Sequence, residues 1–252
     1  MSVAQTVDHE ASLVERFCRL ASKDLELMAA LHAVEPDSET IDSLRACGFP
    51  DNLGLVLQSE EARDAAAVMR GALAEMPDAI DDQLLDELAA DFADIYLTGG
   101  LRASPCESVW LDVEHLERQA PMFQVREHYT REGLGAADWR RRPDDHLVIQ
   151  LQFIARLLKQ SSARGERDRL GDVAQFMDEH LLRWLGDFCN RVAQRCATPF
   201  FAGLALVTAS YCEALRDLLV EPRPERDASE QETTSPGSEV SVNFVPGVGP
   251  TV

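Results

Sequence analysis

"PDDHLVIQLQFIARLLKQ", residues Pro143 to Gln160, is the stretch that decides the fold. Leu147, Leu151, Ile154 and Leu158 recur at i, i+4, i+7 and i+11, the period of one helix face and not the alternation of a strand. The front of the stretch reads as a helix start. Pro143 suits the first helical position because its φ is preset, and Asp144 and Asp145 would then sit on free N–H groups at the positive end of the helix dipole. One apolar stripe of this helix should face the core.

The same period runs from Ala11 to Val220, whereas alternating runs rich in Val, Ile and Thr are nearly absent. The reading is an all-α, single-domain helical bundle over 1–221. Helices are expected from about Glu10 to Val34, from a cap at Asp37 or Ser38 to Cys47-Gly48, from Ser59 through Leu73, and from Asp81 to Leu97. Thr98-Gly99-Gly100 stops the last of these. Others follow from Ser108 to Leu116, from Met122 to Glu132 and from Pro143. One further helix carries Phe176, Trp184, Phe188 and Val192, and the last, Pro199 to Leu219, is apolar on nearly all sides. Over 222–252 the Pro-, Ser-, Thr- and Gly-rich composition cannot bury enough surface to order itself, so a disordered tail is expected.

With 45% apolar residues the chain can build a core. A formal charge of −20 argues against nucleic acid and anionic membranes as partners, since both require cations brought to phosphates. The six cysteines show neither a CxxC pair nor tight Cys/His spacing, which argues against a zinc site and fits reduced thiols in a cytoplasmic protein. No signal-peptide pattern opens the chain, and no segment approaches the ~20 apolar residues of a membrane span. No metal site and no catalytic residue is assigned. Glu-x-x-His pairs are missing, His115 and His180 read as surface residues, and GxxxxGK[ST], GxGxxG and GxSxG do not occur.

Read alone, Asp144, Asp145 and His146 are a helix start with a solvated histidine. They belong, however, to an ordered series. Phe92-x-x-Ile95-Tyr96-x-x-Gly99 leads to Pro105-Cys106-Glu107-Ser108-Val109-Trp110, then to Arg126-x-x-Tyr129 with Gly133-Leu134, and then to Pro143-Asp144-Asp145-His146-Leu147. This series resembles the TorD/DmsD/NarJ family of cytoplasmic chaperones that mature molybdenum-containing redox enzymes before twin-arginine export. The resemblance covers roughly Phe92 to Leu158, and the helical layout on either side is compatible with it.

The resemblance implies an all-helical chaperone without enzymatic activity. Its partners would be the signal peptide and the body of a molybdopterin-containing oxidoreductase. It implies no cofactor beyond weak guanine-nucleotide binding. Monomer and homodimer both stay open, because helical exchange between protomers leaves no mark on one chain. The resemblance places the signal-peptide pocket at Asp145 and His146, at Phe92, Ile95 and Tyr96, and at Pro105 and Cys106. On chemical grounds Glu107 and Asp144 join Asp145 as carboxylates for charge-assisted contacts to the peptide's arginines, with Ser108 beside them. Two positions depart from the family pattern: Cys106, where some relatives have tryptophan, and Arg142, where many have an acidic residue.

The chemistry is consistent with that role. A twin-arginine signal peptide pairs a cationic start with an apolar stretch, so its receptor should set carboxylates beside an apolar groove. His146 is expected to titrate near neutrality and to bond across two helices. If the carboxylates line an open pocket, replacing Asp145 or His146 should weaken peptide binding and leave the thermal midpoint nearly unchanged. Two other classes remain: an acidic helical scaffold or regulator that binds another protein, and a helical metalloenzyme using Asp145 and His146.

Overall fold

The computed structural model describes residues 3–136, 140–164 and 168–219, with the side chains of 3–12, 163, 164 and 168 excepted. The tail expected over 222–252 lies outside the described residues. Within them the chain is an all-α bundle with no strand. Its helices are α1 (Val3–Leu31), α2 (Ser38–Cys47), α3 (Glu60–Glu75), α4 (Asp82–Phe92), α5 (Glu107–Leu111), α6 (Ala120–Arg131), α7 (Leu147–Arg164), α8 (Asp168–Glu179), α9 (Leu185–Arg195) and α10 (Pro199–Leu219).

Local chemistry sets many of the boundaries. Asp37, Ser59 and Asp81 cap α2, α3 and α4, their side chains accepting from the N–H groups of Thr40, Ala62 and Leu84. Each cap satisfies a donor that the first turn leaves without an intrahelical partner. Gly48 ends α2 in the left-handed conformation, φ 73°, where a side chain would be strained. α4 runs on into a single π turn, Ala93–Leu97, closed by Thr98 N–H donating to Ala93 C=O at 2.8 Å.

Two helix pairs form the frame. α1 lies along α7, and α3 along α10. On α1 the residues Cys18, Ala21, Leu25 and Met28 are fully buried at helical spacing, as are Leu147, Leu151, Ile154 and Leu158 on α7. Val148 and Ala155 are buried as well, so α7 is covered on more than the one stripe expected of it. α10 also meets α4, α8 and α9, which explains why it is apolar nearly all round. At its crossing with α3 a Cβ on Gly203 would lie 2.8 Å from Met69 Cα. The absence of a side chain is what lets these helices approach.

Four expectations are corrected. The helix after Pro143 begins at Leu147, because Asp145 and His146 pair with the α5 entry and Asp144 with α6 instead of extending α7. The helix expected to run from Phe176 to Val192 is two, α8 and α9, joined by a short 3₁₀ turn, Leu181–Arg183. That break turns His180 and Trp184 inward, where both find buried hydrogen-bond partners. His180 is therefore a core residue, 3% exposed, and not a surface one. Finally, α5 stops at Leu111, short of Leu116, and His115 adopts φ 53°.

Candidate functional site

The α5 entry and the segment before α7 are bound together by an isolated antiparallel bridge, Cys106 to His146. Glu107 N–H donates to Asp145 C=O at 3.1 Å, and Leu147 N–H donates to Pro105 C=O at 2.8 Å. Pro105, Cys106, Glu107, Ser108, Asp144, Asp145 and His146 thus form one buried junction.

Each polar group there has a defined task. Asp145 Oδ2 accepts from Ser108 N–H at 2.8 Å and from the Ser108 hydroxyl at 2.5 Å. The carboxylate caps α5, the neighbouring helix, and not the helix that follows it in sequence. Burial pushes the Asp145 carboxyl above its ordinary range, and the two Ser108 bonds oppose that rise. Its Oδ1 is buried and has no hydrogen-bond partner.

His146 Nδ1 accepts from Val148 N–H at 3.1 Å, so the ring caps α7 in the neutral state. Burial, reinforced by Arg142 and His32 nearby, lowers its pKa to about 3. The expectation that His146 titrates near neutrality is corrected on this ground. A charged ring would have no acceptor nitrogen for Val148.

Arg126 holds the Asp144 carboxylate through Nε at 3.1 Å and a terminal nitrogen at 2.6 Å, while the Tyr129 hydroxyl donates to the Asp144 carbonyl at 2.8 Å. The Arg-x-x-Tyr spacing puts both donors on one face of α6. Glu107, fully buried, accepts from His180 Nδ1 at 3.0 Å and from Gln150 Nε2 at 2.5 Å. Gln150 in turn accepts from Trp184 Nε1 at 3.3 Å. Burial raises the Glu107 carboxyl, against the lowering effect of His180 and Gln150. The Cys106 thiol is raised well above its usual value by burial and by Asp145, which keeps it protonated and unreactive.

Phe92, Ile95 and Tyr96 pack into a second cluster. Phe92 and Tyr96 lie 4.8 Å apart by ring centroid, with Phe201 beside both. Tyr96 shares a 2.5 Å hydrogen bond with His32 Nδ1, and His32 Nε2 lies 2.9 Å from Thr208 Oγ1. The Thr208 hydroxyl proton goes to Leu204 C=O, so His32 Nε2 donates to the Thr208 oxygen. Burial lowers the His32 pKa to about 3, so the ring is neutral and its Nδ1 accepts from the Tyr96 hydroxyl.

The carboxylates expected beside an open groove are thus turned inward. The open space next to them is a cleft of about 800 Å³ whose apolar wall includes Leu97, Leu134, Ile149 and Phe153. Its charged residues are arginines, Arg141, Arg142 and Arg156. Tyr129, which holds Asp144, also lines it. Arg142 in addition donates to Ala33 C=O at 2.9 Å, just beyond the end of α1. Of the basic triplet Arg140 to Arg142, unusual in so acidic a chain, Arg141 and Arg142 thus have a structural place at the cleft, and Arg142 also at the α1 terminus.

Sequence reasoning did not assign His32, Gln150, His180 or Trp184 to any site. Isolated polar residues in apolar runs carry no local signal. Arg126 and Tyr129 did carry one, their i, i+3 spacing.

The sequence profile of the family described as nitrate reductase delta subunit matches residues 62–190, a little over half of the chain. Among curated proteins the chain is similar to the chaperone protein TorD of Vibrio vulnificus strain CMCP6, 28% identical over 199 residues, covering 77% of this chain and 91% of the relative. It is 32% identical over 155 residues to the TorD chaperone of Vibrio cholerae serotype O1, strain ATCC 39541, covering 60% of this chain and 69% of that protein. With the TorD chaperone of Shewanella loihica it shares 26% identity over 199 residues, 75% of this chain and 90% of the relative. The profile spans α5, α6 and α7, the helices that build the junction. The chain belongs to the nitrate reductase delta subunit family, the TorD/DmsD/NarJ family of chaperones, whose members are not enzymes.

Proposed function

We propose that this protein is a cytoplasmic maturation chaperone that binds the twin-arginine signal peptide and the apo body of a molybdopterin-containing oxidoreductase, assisting cofactor insertion and proofreading before export. The observation that carries the reading is the apolar cleft beside the Asp144–His146 junction, in a chain of this chaperone family.

The apolar stretch of a signal peptide suits the wall of Leu97, Leu134, Ile149 and Phe153. Arg141, Arg142 and Arg156 would repel the peptide's own arginines. The peptide therefore enters with its apolar segment in the cleft and its cationic end directed outward, onto a surface whose formal charge of −20 attracts it. In this reading Pro105, Cys106, Glu107, Ser108, Asp144, Asp145 and His146 position the cleft wall without touching the peptide's charges. Phe92, Ile95 and Tyr96 fix the helix end that carries Leu97.

The test is titration of a fluorescently labelled twin-arginine signal peptide into the chain. Leu97 is 67% exposed, so Leu97→Asp should leave the thermal midpoint unchanged. Leu97→Asp and Leu134→Asp are each expected to weaken binding at least about tenfold, the effect of ~1.4 kcal/mol. A peptide whose apolar stretch is replaced by serines should bind no better than the variants. Wild-type affinity in both variants would remove the cleft from the proposal. No binding of any twin-arginine peptide would favour an acidic helical scaffold.

A further inference from the structure

Next to His180, which bonds to Glu107 of the junction, the end of α8 meets α6. There His128, Glu179 and His180 each place one potential ligand atom within 4.8 Å of the other two. His128 Nε2 already lies 3.6 Å from Glu179 Oε2. The three line a second cleft of about 500 Å³, together with Gln124, Glu127, Arg131 and Arg183.

We propose that His128, Glu179 and His180 bind a divalent transition-metal cation of the zinc class. Two imidazoles and one carboxylate are a donor set suited to Zn²⁺ and its neighbours, and unsuited to Mg²⁺ or Ca²⁺, which take oxygen ligands. Bonds of about 2.0–2.2 Å to a tetrahedral ion place ligand atoms about 3.3–3.6 Å apart. The His128–Glu179 pair has that spacing, and the third ligand closes the set by a side-chain adjustment of about 1 Å.

The groups around the ligands are arranged as metal ligands require. His180 Nδ1 donates to the buried Glu107 carboxylate at 3.0 Å, which leaves Nε2 as its coordinating nitrogen and makes the ring a stronger donor. Glu179 Oε1 accepts from Gln175 Nε2 at 2.7 Å, which orients Oε2 toward His128. Phe176 stands edge to face with the His128 ring, centroids 5.4 Å apart, and fixes its plane.

Two cations share the cleft, and each has a partner of its own. Arg131 lies 3.8 Å from Glu127, and Arg183 donates to Glu179 C=O at 3.3 Å. His180 is 4% exposed by side chain, His128 19% and Glu179 48%, so the site is anchored in the core and open to solvent on one side. Three protein ligands leave a coordination position for water or for a donor from a docked partner. No sequence motif announces the set because its members come from α6 and from the end of α8 with the residue that follows it, His128 and Glu179 lying 51 residues apart.

The experiment is titration of Zn²⁺, by calorimetry, and of Co²⁺, by its ligand-field absorption, into the tag-free full chain. The exposed thiol is removed as Cys47→Ser so that it cannot contribute a ligand. The proposal expects one Zn²⁺ per chain and a Co²⁺ spectrum of a four- or five-coordinate site. His128→Gln and Glu179→Gln should each lower the affinity at least tenfold, with far-UV circular dichroism and the thermal midpoint in EDTA unchanged. Absence of stoichiometric binding to the wild-type chain, or binding that survives His128→Gln at full affinity, overturns it. Both readouts are independent of signal-peptide binding.

Discussion

The Asp145 carboxylate and Ser108 are joined across 37 residues by two hydrogen bonds to one oxygen, 2.8 Å from the backbone N–H and 2.5 Å from the hydroxyl. Through this contact the segment that precedes α7 fixes the start of α5. Asp91 does the same for the entry to α10, accepting from Ala197 N–H at 2.8 Å and from Thr198 N–H at 2.6 Å. Asp24 accepts from Gly54 N–H and from the Tyr211 hydroxyl, both at 2.7 Å. In a chain with 44 acidic residues, these buried few organise loops while the exposed ones set the charge.

Asp145→Ala leaves both Ser108 donors buried without an acceptor. The expected cost is about 2–4 kcal/mol, or a fall of about 5–10 °C in thermal midpoint for a protein of this size. The double variant Asp145→Ala/Ser108→Ala should recover part of the loss, because the hydroxyl goes with its acceptor. Urea denaturation of the single and double variants measures this. An unchanged midpoint for Asp145→Ala would mean that the carboxylate faces solvent, as the open-pocket expectation required.

His32 and His146 give stability a pH dependence of known sign. Both imidazoles are held near 3 in the folded chain, below the ordinary 6.5. Below pH 6.5 the unfolded chain takes up protons that the native state cannot accept. Their stabilising contribution is therefore complete above about pH 6.5 and is lost as the pH falls toward 3. The raised carboxyls of Asp24, Glu107 and Asp145 act in the opposite direction as the pH falls, since the native state takes up their protons first. Between about pH 7 and pH 5 the two imidazoles should by themselves lower stability by about 2–4 kcal/mol. His32→Gln should remove roughly half of that slope. Urea midpoints measured across the window decide it, and a flat profile in the wild-type chain would contradict neutral burial of both rings.

Gly203→Ala tests the closest helix contact. The added Cβ would meet Met69 Cα at 2.8 Å and Met69 N at 3.0 Å, backbone atoms that cannot swing aside. α3 and α10 must separate, at a cost of about 1–3 kcal/mol, larger than the ~1 kcal/mol by which alanine favours a helix over glycine. Chemical denaturation measures the difference, and a stabilised variant would show that α3 yields freely.

Much of the helical layout was legible in the sequence because its causes are local. Leu147, Leu151, Ile154 and Leu158 share one face by period alone, and all four are fully buried. Asp37, Ser59 and Asp81 cap helices because their side chains reach an N–H three residues on. The errors fall where a distant partner outweighs local preference. Pro143-Asp144-Asp145 has the composition of a helix start, yet its carbonyls are taken by Glu107 N–H and the Tyr129 hydroxyl and its carboxylates by Ser108 and Arg126. The run through His180 keeps a helical pattern, and only the buried Glu107 and Gln150 explain why it breaks there.

The sequence by itself determined that this chain is an acidic, all-α protein, and through the order of its motifs it pointed to a chaperone family, because periodicity, capping and charge are properties of neighbouring residues. Only the tertiary structure decided what those motifs do to one another. Arg126, Tyr129, Ser108, Asp144, Asp145 and His146 interlock as a buried junction, and the cleft beside it is lined by arginines. Burial and pairing are set by which helices meet, and α5, α6 and α7 bring those residues together from positions up to 38 residues apart, Ser108 to His146.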